Sequence, residues 1–353
     1  MNRTIFFTAG GTGGHIFPAL AVAKLFQAEH NIVWIGGKSG LENTIIPKHG
    51  IKLETISISG LRKKGLIKLA LMPFILARAC YQATKLIFVY RPDAIVGFGG
   101  YATFPLCFMG WFWRVPVLIH EQNAIPGLSN KILAKFATVV MTAYPTVLAS
   151  KRTKVVGNPV REDICKILPP EIRYSQRTGG LNVLIVGGSL GAKIFNETFP
   201  LVFANTTNVA TITHQVGRGD AQTVAAHYKS LGVNATVVDF IQDMAAVYAA
   251  ADLIICRAGA STVSEIMAAG LASIFIPYPY AVDDHQYYNA KPLVDAGAAY
   301  LILQRDMSRD KLTDMIIGIT RARCLEMADQ ARSLAIVDSS TRIYEIIRNE
   351  FYE

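Results

Sequence analysis

Short apolar runs in this chain alternate with longer stretches whose apolar positions repeat at helical spacing. The apolar run at 4–9 leads into a glycine-rich turn, and 16–27 then has helical spacing with Pro18 in its first turn, where proline is tolerated. A second apolar run, 32–35, ends in two further glycines. This order predicts a β-α-β unit whose glycine loop lies at the carboxyl end of a strand, where open α/β sheets bind ligands.

The same pattern restarts in the second half of the chain. A strand is predicted at 182–186, and the glycine loop 187–192 opens a helix after it. Further strands are predicted at 94–97, 115–119, 139–141, 155–156, 211–215, 235–238, 251–256 and 273–277. The pattern therefore predicts an α/β protein with two Rossmann-like domains, each a parallel sheet flanked by helices, which face one another across a cleft.

Composition narrows the class of protein. Hydrophobic residues make up 51% of the 353 residues, which favours a large core and argues against disorder. The five cysteines are scattered without a C-x-x-C pair, which argues against a disulfide framework or a zinc site and fits a reducing cytosol. The N-terminal region imitates a signal peptide, but glycines and His15 interrupt its apolar segment, and no apolar stretch reaches the roughly 18 residues of a membrane span.

Charge divides the chain near Arg161. The net charge of the chain is +9. Residues 1–161 carry 19 Lys and Arg against 5 Asp and Glu, whereas residues 162–353 carry 16 Lys and Arg against 21 Asp and Glu. The basic half should therefore meet an anionic partner, such as a membrane surface, a nucleic acid or a phosphorylated substrate.

Two segments of the basic half combine basic and bulky apolar residues. Residues 55–92 hold seven basic and no acidic side chains, and a second apolar cluster at 108–114 ends in Arg114. Such stretches suit the interface of an anionic bilayer, with Leu66, Phe74, Trp111 and Trp113 as the predicted apolar contacts. The alternative is a core helix with a solvated basic face. Nucleic-acid binding is disfavoured because the chain shows no recognisable binding module.

Residues 257–265 predict a strand end, a tight glycine turn and the start of a helix. The backbone N–H groups and the helix dipole suit an anion there, and Ser261 and Thr262 are predicted to cap the helix. Glu265 is suited to accept hydrogen bonds from a ribose diol, so the stretch is typical of a nucleoside diphosphate site. The alternative is a plain capping box of Ser or Thr followed by Glu.

A nicotinamide-binding fold is excluded by the first glycine loop. The third glycine of G-x-G-x-x-G would fall on Ile16, and the second strand carries no acidic residue for an adenosine ribose.

An ordered set of motifs identifies a family. They are G-G-T-G-G-H-I-F-P at 10–18, G-F-G-G-Y at 97–101, H-E-Q-N at 120–123, G-N-P-V-R at 157–161, G-G-S-L-G-A at 187–192, R-A-G-A-S-T-V-S-E at 257–265 and D-H-Q at 284–286. Together they closely resemble the MurG family of N-acetylglucosaminyltransferases, which convert lipid I to lipid II in bacterial peptidoglycan synthesis.

The resemblance implies a GT-B fold. It assigns residues 1–160 plus 338–353 to an N-terminal domain that binds the lipid-linked acceptor and the membrane, and 161–337 to a C-terminal domain that binds UDP-GlcNAc. It implies an inverting transfer of GlcNAc to the muramyl C4 hydroxyl with neither a cofactor nor a catalytic metal. The enzyme would be peripheral, on the cytoplasmic face of the bacterial inner membrane, where cell-wall assembly proteins are further expected partners.

The resemblance also assigns roles to matching residues. His15 is the candidate general base, or an organiser of the acceptor pyrophosphate loop. Glu265 would bind the ribose hydroxyls, the backbone of Ile241 the uracil, and Gln286 a GlcNAc hydroxyl. The UDP-GlcNAc site as a whole comprises Thr12, Gly13, Gly14, Asn123, Arg161, Ser189, Ile241, Ala260, Ser261, Thr262, Val263, Ser264, Glu265 and Gln286.

Two positions depart from the family pattern. The second glycine motif usually continues Ser-Gly-Pro, whereas this chain has Thr103-Phe104-Pro105, which adds bulk at a loop expected to meet the acceptor. Ser261 occupies a position that is often apolar.

Two other classes of function remain open on the sequence. A soluble epimerase that acts on UDP-GlcNAc would share the nucleotide motifs but would not need the apolar and basic segments. A non-catalytic membrane-bound scaffold would not need the nucleotide motifs.

Overall fold

A computed structural model describes residues 3–58, 71–145, 148, 152–188 and 191–351. The contacts divide the chain into two compact units, Met1–Val160 with Ile336–Glu353 and Arg161–Ala335. Each unit is built on one parallel sheet flanked by helices, so the predicted two-sheet α/β class is confirmed.

The first unit contains a sheet with the strand order of a doubly wound fold. Its described strands are β1 Thr4–Thr8, β2 Asn31–Gly37, β3 Lys52–Ile56, β4 Ala94–Gly97, β5 Val117–Glu121, β6 Val139–Thr142 and β7 Thr153–Val155. They lie in the order β3-β2-β1-β4-β5-β6-β7, and the paired strands are parallel. The order reverses between β1 and β4, which is the point where open α/β sheets bind ligands.

Helices cover both faces of this sheet. The described helices that precede the second unit are α1 Gly13–Phe26, α2 Glu42–Ile45, α3 Met72–Tyr90, α4 Thr103–Phe112 and α5 Leu128–Leu133. Alternate residues of β1 enter different cores: Ile5 and Phe7 pack in the cluster that includes α1, whereas Phe6 packs in the cluster that includes α3 and α4. Because a strand buried on both faces must be apolar throughout, β1 is a continuous hydrophobic run.

Two helix predictions differ from the structure in this unit. Helix α1 begins at Gly13, three residues before the predicted start, so Pro18 lies inside the helix rather than in its first turn. Glycine is a poor helix former, so the sequence favours a loop ahead of Ile16, although these residues form the first turn of the helix. In the described part of the basic segment the helix is α3, which extends to Tyr90, and Leu66 falls outside the described residues.

The second unit repeats the architecture. Its strands are β8 Leu181–Val186, β9 Val209–Gln215, β10 Thr236–Val238, β11 Leu253–Cys256, β12 Ala272–Phe275 and β13 Ala299–Leu301. They lie in the parallel order β10-β9-β8-β11-β12-β13, so the reversal falls between β8 and β11. The helices are α6 Glu162–Cys165, α7 Pro170–Ser175, α8 Lys193–Phe203, α9 Ala221–Ser230, α10 Met244–Ala250, α11 Ala260–Ala269, α12 His285–Asp295, α13 Arg309–Gly318 and α14 Arg321–Ser333.

The last helix, α15 Ser339–Asn349, belongs to the first unit. Its Ile343 and Ile347 are fully buried, and the ring of Tyr344 lies 4.4 Å from the ring of Phe26 in α1. Each fully buried aliphatic side chain contributes about 1.5–3 kcal/mol, so this apolar face fixes the chain end against α1. In the described part of the chain, no helix is both long and apolar enough to cross a bilayer.

A buried histidine in β9 should make the protein sensitive to acid. His214 is fully buried beside the Tyr228 hydroxyl, 3.1 Å from its Nδ1, and burial lowers the pKa of His214 from 6.5 to about 3. The unfolded chain therefore binds a proton between about pH 6.5 and 3 that the folded chain excludes. Stability from this group is complete above about pH 6.5 and falls by up to about 1.4 kcal/mol per pH unit as the pH decreases through that window.

We expect the melting temperature of His214→Gln to fall less than that of the wild type when the pH is lowered from 7.5 to 5.5. Glutamine removes the titrating ring and keeps a polar group near Tyr228. The measurement is thermal unfolding at both pH values, with His227→Gln, a substitution in α9 of the same unit, as the control with wild-type acid sensitivity. An unchanged acid sensitivity in His214→Gln would contradict the assignment.

Candidate active site

Two glycine motifs of the first unit meet at the reversal between β1 and β4. The N–H of Gly10 donates to the carbonyl of Gly99 at 3.3 Å, and a Cβ on Gly100 would lie 2.5 Å from the Gly10 oxygen. Gly99 and Gly100 also have φ of +95° and +96°, a region that side chains rarely adopt. The loops after β1 and β4 therefore pack backbone against backbone at Gly10, Gly99 and Gly100. We call the surface that these three residues form the glycine surface.

His15 lies in the first turn of α1 and packs against the glycine surface. A Cβ on Gly99 would lie 2.9 Å from its Nδ1, so the absence of that side chain makes room for the ring. The Nδ1 atom lies 3.3 Å from Oε1 of Gln122, a residue that follows β5. The ring of His15 therefore contacts the residue that follows β5 rather than a residue of its own loop.

Glu42 packs against the glycine surface at Gly10, and no role for it was predicted from the sequence. Its side chain is 2% exposed, and its carboxylate accepts hydrogen bonds from the N–H groups of Gly37 at 3.0 Å and Gly11 at 3.3 Å. A Cβ on Gly40 would overlap the carboxyl group, and a Cβ on Gly36 would lie 2.7 Å from Cγ of Glu42. The carboxylate ties the loop that carries Thr12, which is exposed, to the end of β2.

A second buried carboxylate organises the loop after β5. Glu121 accepts hydrogen bonds from the N–H and the side-chain amide of Asn123 at 3.0 and 3.1 Å, from the N–H of Gly127 at 3.0 Å and from Asn130 at 2.9 Å. A buried carboxylate is stable only when donors surround it, and these four supply that need. Asn123 is thereby held at the carboxyl end of the sheet.

His120, in β5, links this strand to the turn at Gly157, which precedes the second unit. It is fully buried, with Nε2 2.9 Å from the carbonyl of Gly157, and burial lowers its pKa to about 4. Because a carbonyl only accepts, Nε2 carries the proton and the ring is neutral at pH 7. His120 is therefore a structural histidine.

In the second unit, the helix start at the reversal is built differently from the prediction. Helix α11 begins at Ala260 with Gly259 as its N-cap, and no side chain caps it. The prediction that Ser261 or Thr262 caps this helix is wrong, because Gly259 already has the extended conformation of a cap and places both inside the first turn. The Oγ of Ser261 is buried and has no hydrogen-bond partner among the described residues.

Other members of the stretch face the interior. Val263 is fully buried, and the hydroxyl of Ser264, 5% exposed, donates to the carbonyl of Ala260 at 3.0 Å. Their side chains position the helix, so a ligand at its N-terminus would meet backbone N–H groups and Ser261 instead.

Glu265 lies at the centre of a small polar cluster. Tyr248 in α10 donates its hydroxyl to Oε2 of Glu265 at 3.0 Å, and Nε of Arg161, the N-cap of α6, lies 3.8 Å from Oε1. Burial raises the pKa of Glu265, while Arg161 and the Tyr248 hydrogen bond act in the opposite direction. The carboxylate is thus engaged by other elements and does not close a capping box on its own helix.

Gln215 connects two predicted contact points and was also missed. It ends β9, is 4% exposed, donates Nε2 to the carbonyl of Gly188 at 3.1 Å and accepts the N–H of Ile241 at 2.9 Å. The amide therefore ties the glycine loop after β8 to the segment that carries Ile241. Ser189, in the same loop, lies outside the described residues.

Gln286 lies further along the same edge, in the first turn of α12. Its Oε1 accepts the N–H of Tyr278 at 2.9 Å, which leaves the side-chain NH₂ as the group for a ligand. The predicted residues thus fall into two sets: Thr12, Gly13, Gly14, His15 and Asn123 in the first unit, and Arg161, Ile241, Ala260–Glu265 and Gln286 in the second. Within the residues that the structure describes, no group of three or more His, Cys, Asp or Glu lies together as metal ligands would.

Comparisons with known proteins give matches over most of the chain. The models of the glycosyltransferase family 28 N-terminal and C-terminal domains match residues 5–142 and 182–343. A protein of Paraburkholderia phymatum, named UDP-N-acetylglucosamine–N-acetylmuramyl-(pentapeptide) pyrophosphoryl-undecaprenol N-acetylglucosamine transferase, is 46% identical over 98% of this chain and 94% of its own. Its namesake in Burkholderia lata is 47% identical over 98% and 95%. The crystal structure of Acinetobacter baumannii MurG superposes with a TM-score of 0.88 at 37% identity, covering 98% of this chain and 99% of that one.

Proposed function

Because the chain belongs to glycosyltransferase family 28 and, within it, to the MurG family, we propose that it transfers GlcNAc from UDP-GlcNAc to the MurNAc C4 hydroxyl of lipid I. The product is lipid II with a β-1,4 bond, formed with inversion. The observation that carries the proposal is the 46% identity to a named transferase over 98% of the chain.

Chemistry imposes three requirements on such an enzyme. The acceptor hydroxyl must lose its proton, the leaving UDP must have its growing negative charge stabilised, and the two substrates must be aligned for displacement. We assign the first requirement to His15, which presents an imidazole at the carboxyl edge of the first sheet. A general base of this kind contributes about 10²–10⁴-fold to the rate.

We assign the second requirement to the second unit. The N-terminus of α11 offers backbone N–H groups, and the buried Ser261 hydroxyl has no partner among the described residues, which suits a diphosphate oxygen. Glu265 lies within the same helix and would accept hydrogen bonds from the ribose hydroxyls. Arg161, which already lies 3.8 Å from Glu265, supplies a positive charge beside them.

The remaining donor contacts follow from the same edge. Ile241 would present its backbone to uracil, and the side-chain NH₂ of Gln286 would donate to a GlcNAc hydroxyl. Thr12, Gly13, Gly14 and Asn123 of the first unit are proposed as further contacts of the donor sugar or the diphosphate, and the N-terminus of α1 suits an anionic group.

Acceptor-dependent release of UDP tests the proposal. UDP should form when the protein receives UDP-GlcNAc together with a lipid I analogue, and not when undecaprenyl pyrophosphate without the muramyl sugar replaces it. Release of UDP at equal rates with both lipids would contradict transfer to the muramyl hydroxyl. A soluble epimerase, the alternative, would convert UDP-GlcNAc without any lipid.

We further propose that the first unit binds the anionic inner face of the bacterial plasma membrane peripherally. The outer face of α3 repeats aromatic and basic side chains at intervals of three and four residues, all exposed: Phe74, Arg78, Tyr81, Lys85 and Phe88. Residues at this spacing share one helix face, while Ala79, Ala83 and Ile87 pack into the core. Aromatic rings and lysine or arginine on one face suit the lipid–water boundary.

A cluster of rings around the end of α4 continues this surface. The ring of Trp113 lies 4.9 Å from that of Phe88 and 5.1 Å from that of Phe112, and Trp111 lies 4.4 Å from Phe136. Trp111 and Trp113 remain 42% and 43% exposed, which the alternative of a core helix does not explain. Phe104, the departure from the family pattern, stacks on Phe108 at 5.9 Å and so adds to this ring cluster.

We expect the double substitution Trp111→Ser and Trp113→Ser to weaken binding to phosphatidylglycerol vesicles by about fivefold, because apolar contact area at the interface is lost. Cosedimentation measures the effect. The control replaces Leu25 and Leu41, which are 44% and 51% exposed elsewhere in the same unit, with serine. Equal vesicle binding by both double variants would contradict a specific membrane surface.

A further inference from the structure

The side chain of Gln122 lies between the end of β4 and the ring of His15. It is 1% exposed, its Nε2 donates to the carbonyl of Phe98 at 2.7 Å, and its Oε1 lies 3.3 Å from Nδ1 of His15. Its backbone is held as well, because the carbonyl of Gln122 accepts a hydrogen bond from Asn158 at 3.1 Å. The amide therefore has a fixed position.

The orientation of this amide follows from what each atom can donate or accept. A backbone carbonyl only accepts, so the NH₂ group of Gln122 must face Phe98. The reverse orientation would bring two oxygen atoms to 2.7 Å in a buried site and leave both without donors. The oxygen of the amide is thereby directed at His15.

The protonation of the ring follows in turn. An amide oxygen also only accepts, so Nδ1 of His15 must carry the hydrogen that joins the pair. We infer that Gln122 is a positioning residue that holds neutral His15 as the Nδ1–H tautomer and leaves the lone pair of Nε2 as the proton acceptor. The inference deepens the proposed function and rests on it for its catalytic meaning.

Within the proposed reaction, each bond is accounted for. The acceptor oxygen forms a bond to the anomeric carbon while its proton passes to Nε2 of His15. The bond from that carbon to the UDP oxygen breaks, and its electron pair leaves with UDP. An amide suits this task because it orients the ring through one hydrogen bond and cannot itself take the proton.

The tautomer can be read directly from ¹⁵N spectra of the full-length protein. Two-bond ¹H–¹⁵N correlations distinguish a protonated ring nitrogen from an unprotonated one, and the spectrum of His15→Gln identifies the signals of His15. We expect His15 to show a protonated Nδ1 and an unprotonated Nε2 at pH 8. A ring with hydrogen on Nε2, or an equilibrium dominated by that form, would overturn the inference.

Two variants separate positioning from packing. Gln122→Met keeps the length of the side chain but removes both amide contacts, so the Nδ1–H signature should be lost and kcat should fall about three- to tenfold, with the KM for UDP-GlcNAc within about twofold. Gln27→Met is the matched control, since Gln27 donates to a carbonyl in the same unit, at 3.1 Å, and should leave the His15 signals unchanged. Retention of the Nδ1–H signature in folded Gln122→Met would overturn the role of Gln122.

The spectra are recorded without substrate, so they distinguish two failures. Nδ1–H in a protein that transfers no sugar would leave the inference standing and remove the proposed function. Sugar transfer by a protein whose His15 carries hydrogen on Nε2 would do the reverse.

Discussion

Replacing His15 with alanine should lower kcat at least tenfold, while the Kd for UDP-GlcNAc changes by less than about twofold. The imidazole is proposed to take the acceptor proton only as the new bond forms, and its loss therefore affects the transition state more than donor binding. Steady-state kinetics with a lipid I analogue gives kcat, and titration calorimetry with UDP-GlcNAc gives Kd.

His49→Ala is the control for this substitution. His49 lies in the same unit, near the end of a short 3₁₀ turn, Ile46–His49, and makes no proposed contact with substrate. Wild-type turnover in His15→Ala would remove the general-base assignment. A large loss of UDP-GlcNAc affinity would instead place His15 in donor binding.

Replacing Glu265 with glutamine should weaken UDP binding by about 1–2 kcal/mol, which is about five- to thirtyfold in Kd. The carboxylate is proposed to accept hydrogen bonds from the ribose diol, and a neutral amide accepts them less well. Glutamine keeps the size of the side chain, so the contact with Tyr248 can persist through its oxygen. The comparison of Kd values by calorimetry gives the effect.

The ribose contact itself is tested with 2′-deoxy-UDP. The wild type should bind the deoxy analogue more weakly than UDP, and Glu265→Gln should discriminate much less between them, because the interaction energy belongs to the pair. Glu326→Gln, an exposed site on α14, serves as the control. Equal discrimination by the wild type and Glu265→Gln would mean that Glu265 serves its own unit rather than the ribose.

Local patterns predict the fold of this chain well because its sheets are parallel and buried. Strands covered on both faces stand out as apolar runs, and a glycine loop follows β1, β4 and β8 at the edges where ligands bind. The arrangement of a glycine turn and α11 after β11 was also predicted from local order alone.

Tertiary contacts explain what the sequence could not predict. Gln122 meets His15 across 107 residues, and Glu42 meets Gly11 across 31. Gln122 lies within the H-E-Q-N motif, but the motif gives it no partner, and nothing in the neighbourhood of Glu42 distinguishes it from an ordinary polar residue at a helix start. The role of Glu42 emerges only when the fold brings it against glycines, and that of Gln122 only when its amide meets Phe98 and His15.

Helix starts were the least reliable local prediction. Residue type favours Ser261 and Thr262 as caps. Gly259 instead adopts the extended conformation of a cap, and the helix begins at Ala260, before either predicted cap. The consequence is functional as well as local, since it leaves the Ser261 hydroxyl without a capping role.

The most direct test of the central claim is to follow radiolabelled GlcNAc. Purified protein is incubated with labelled UDP-GlcNAc, with and without a short-chain lipid I analogue, and the lipid product is extracted. Transfer predicts label in the lipid fraction only when the acceptor is present. Label that remains in a water-soluble sugar nucleotide or in free sugar, with the acceptor present, would contradict it.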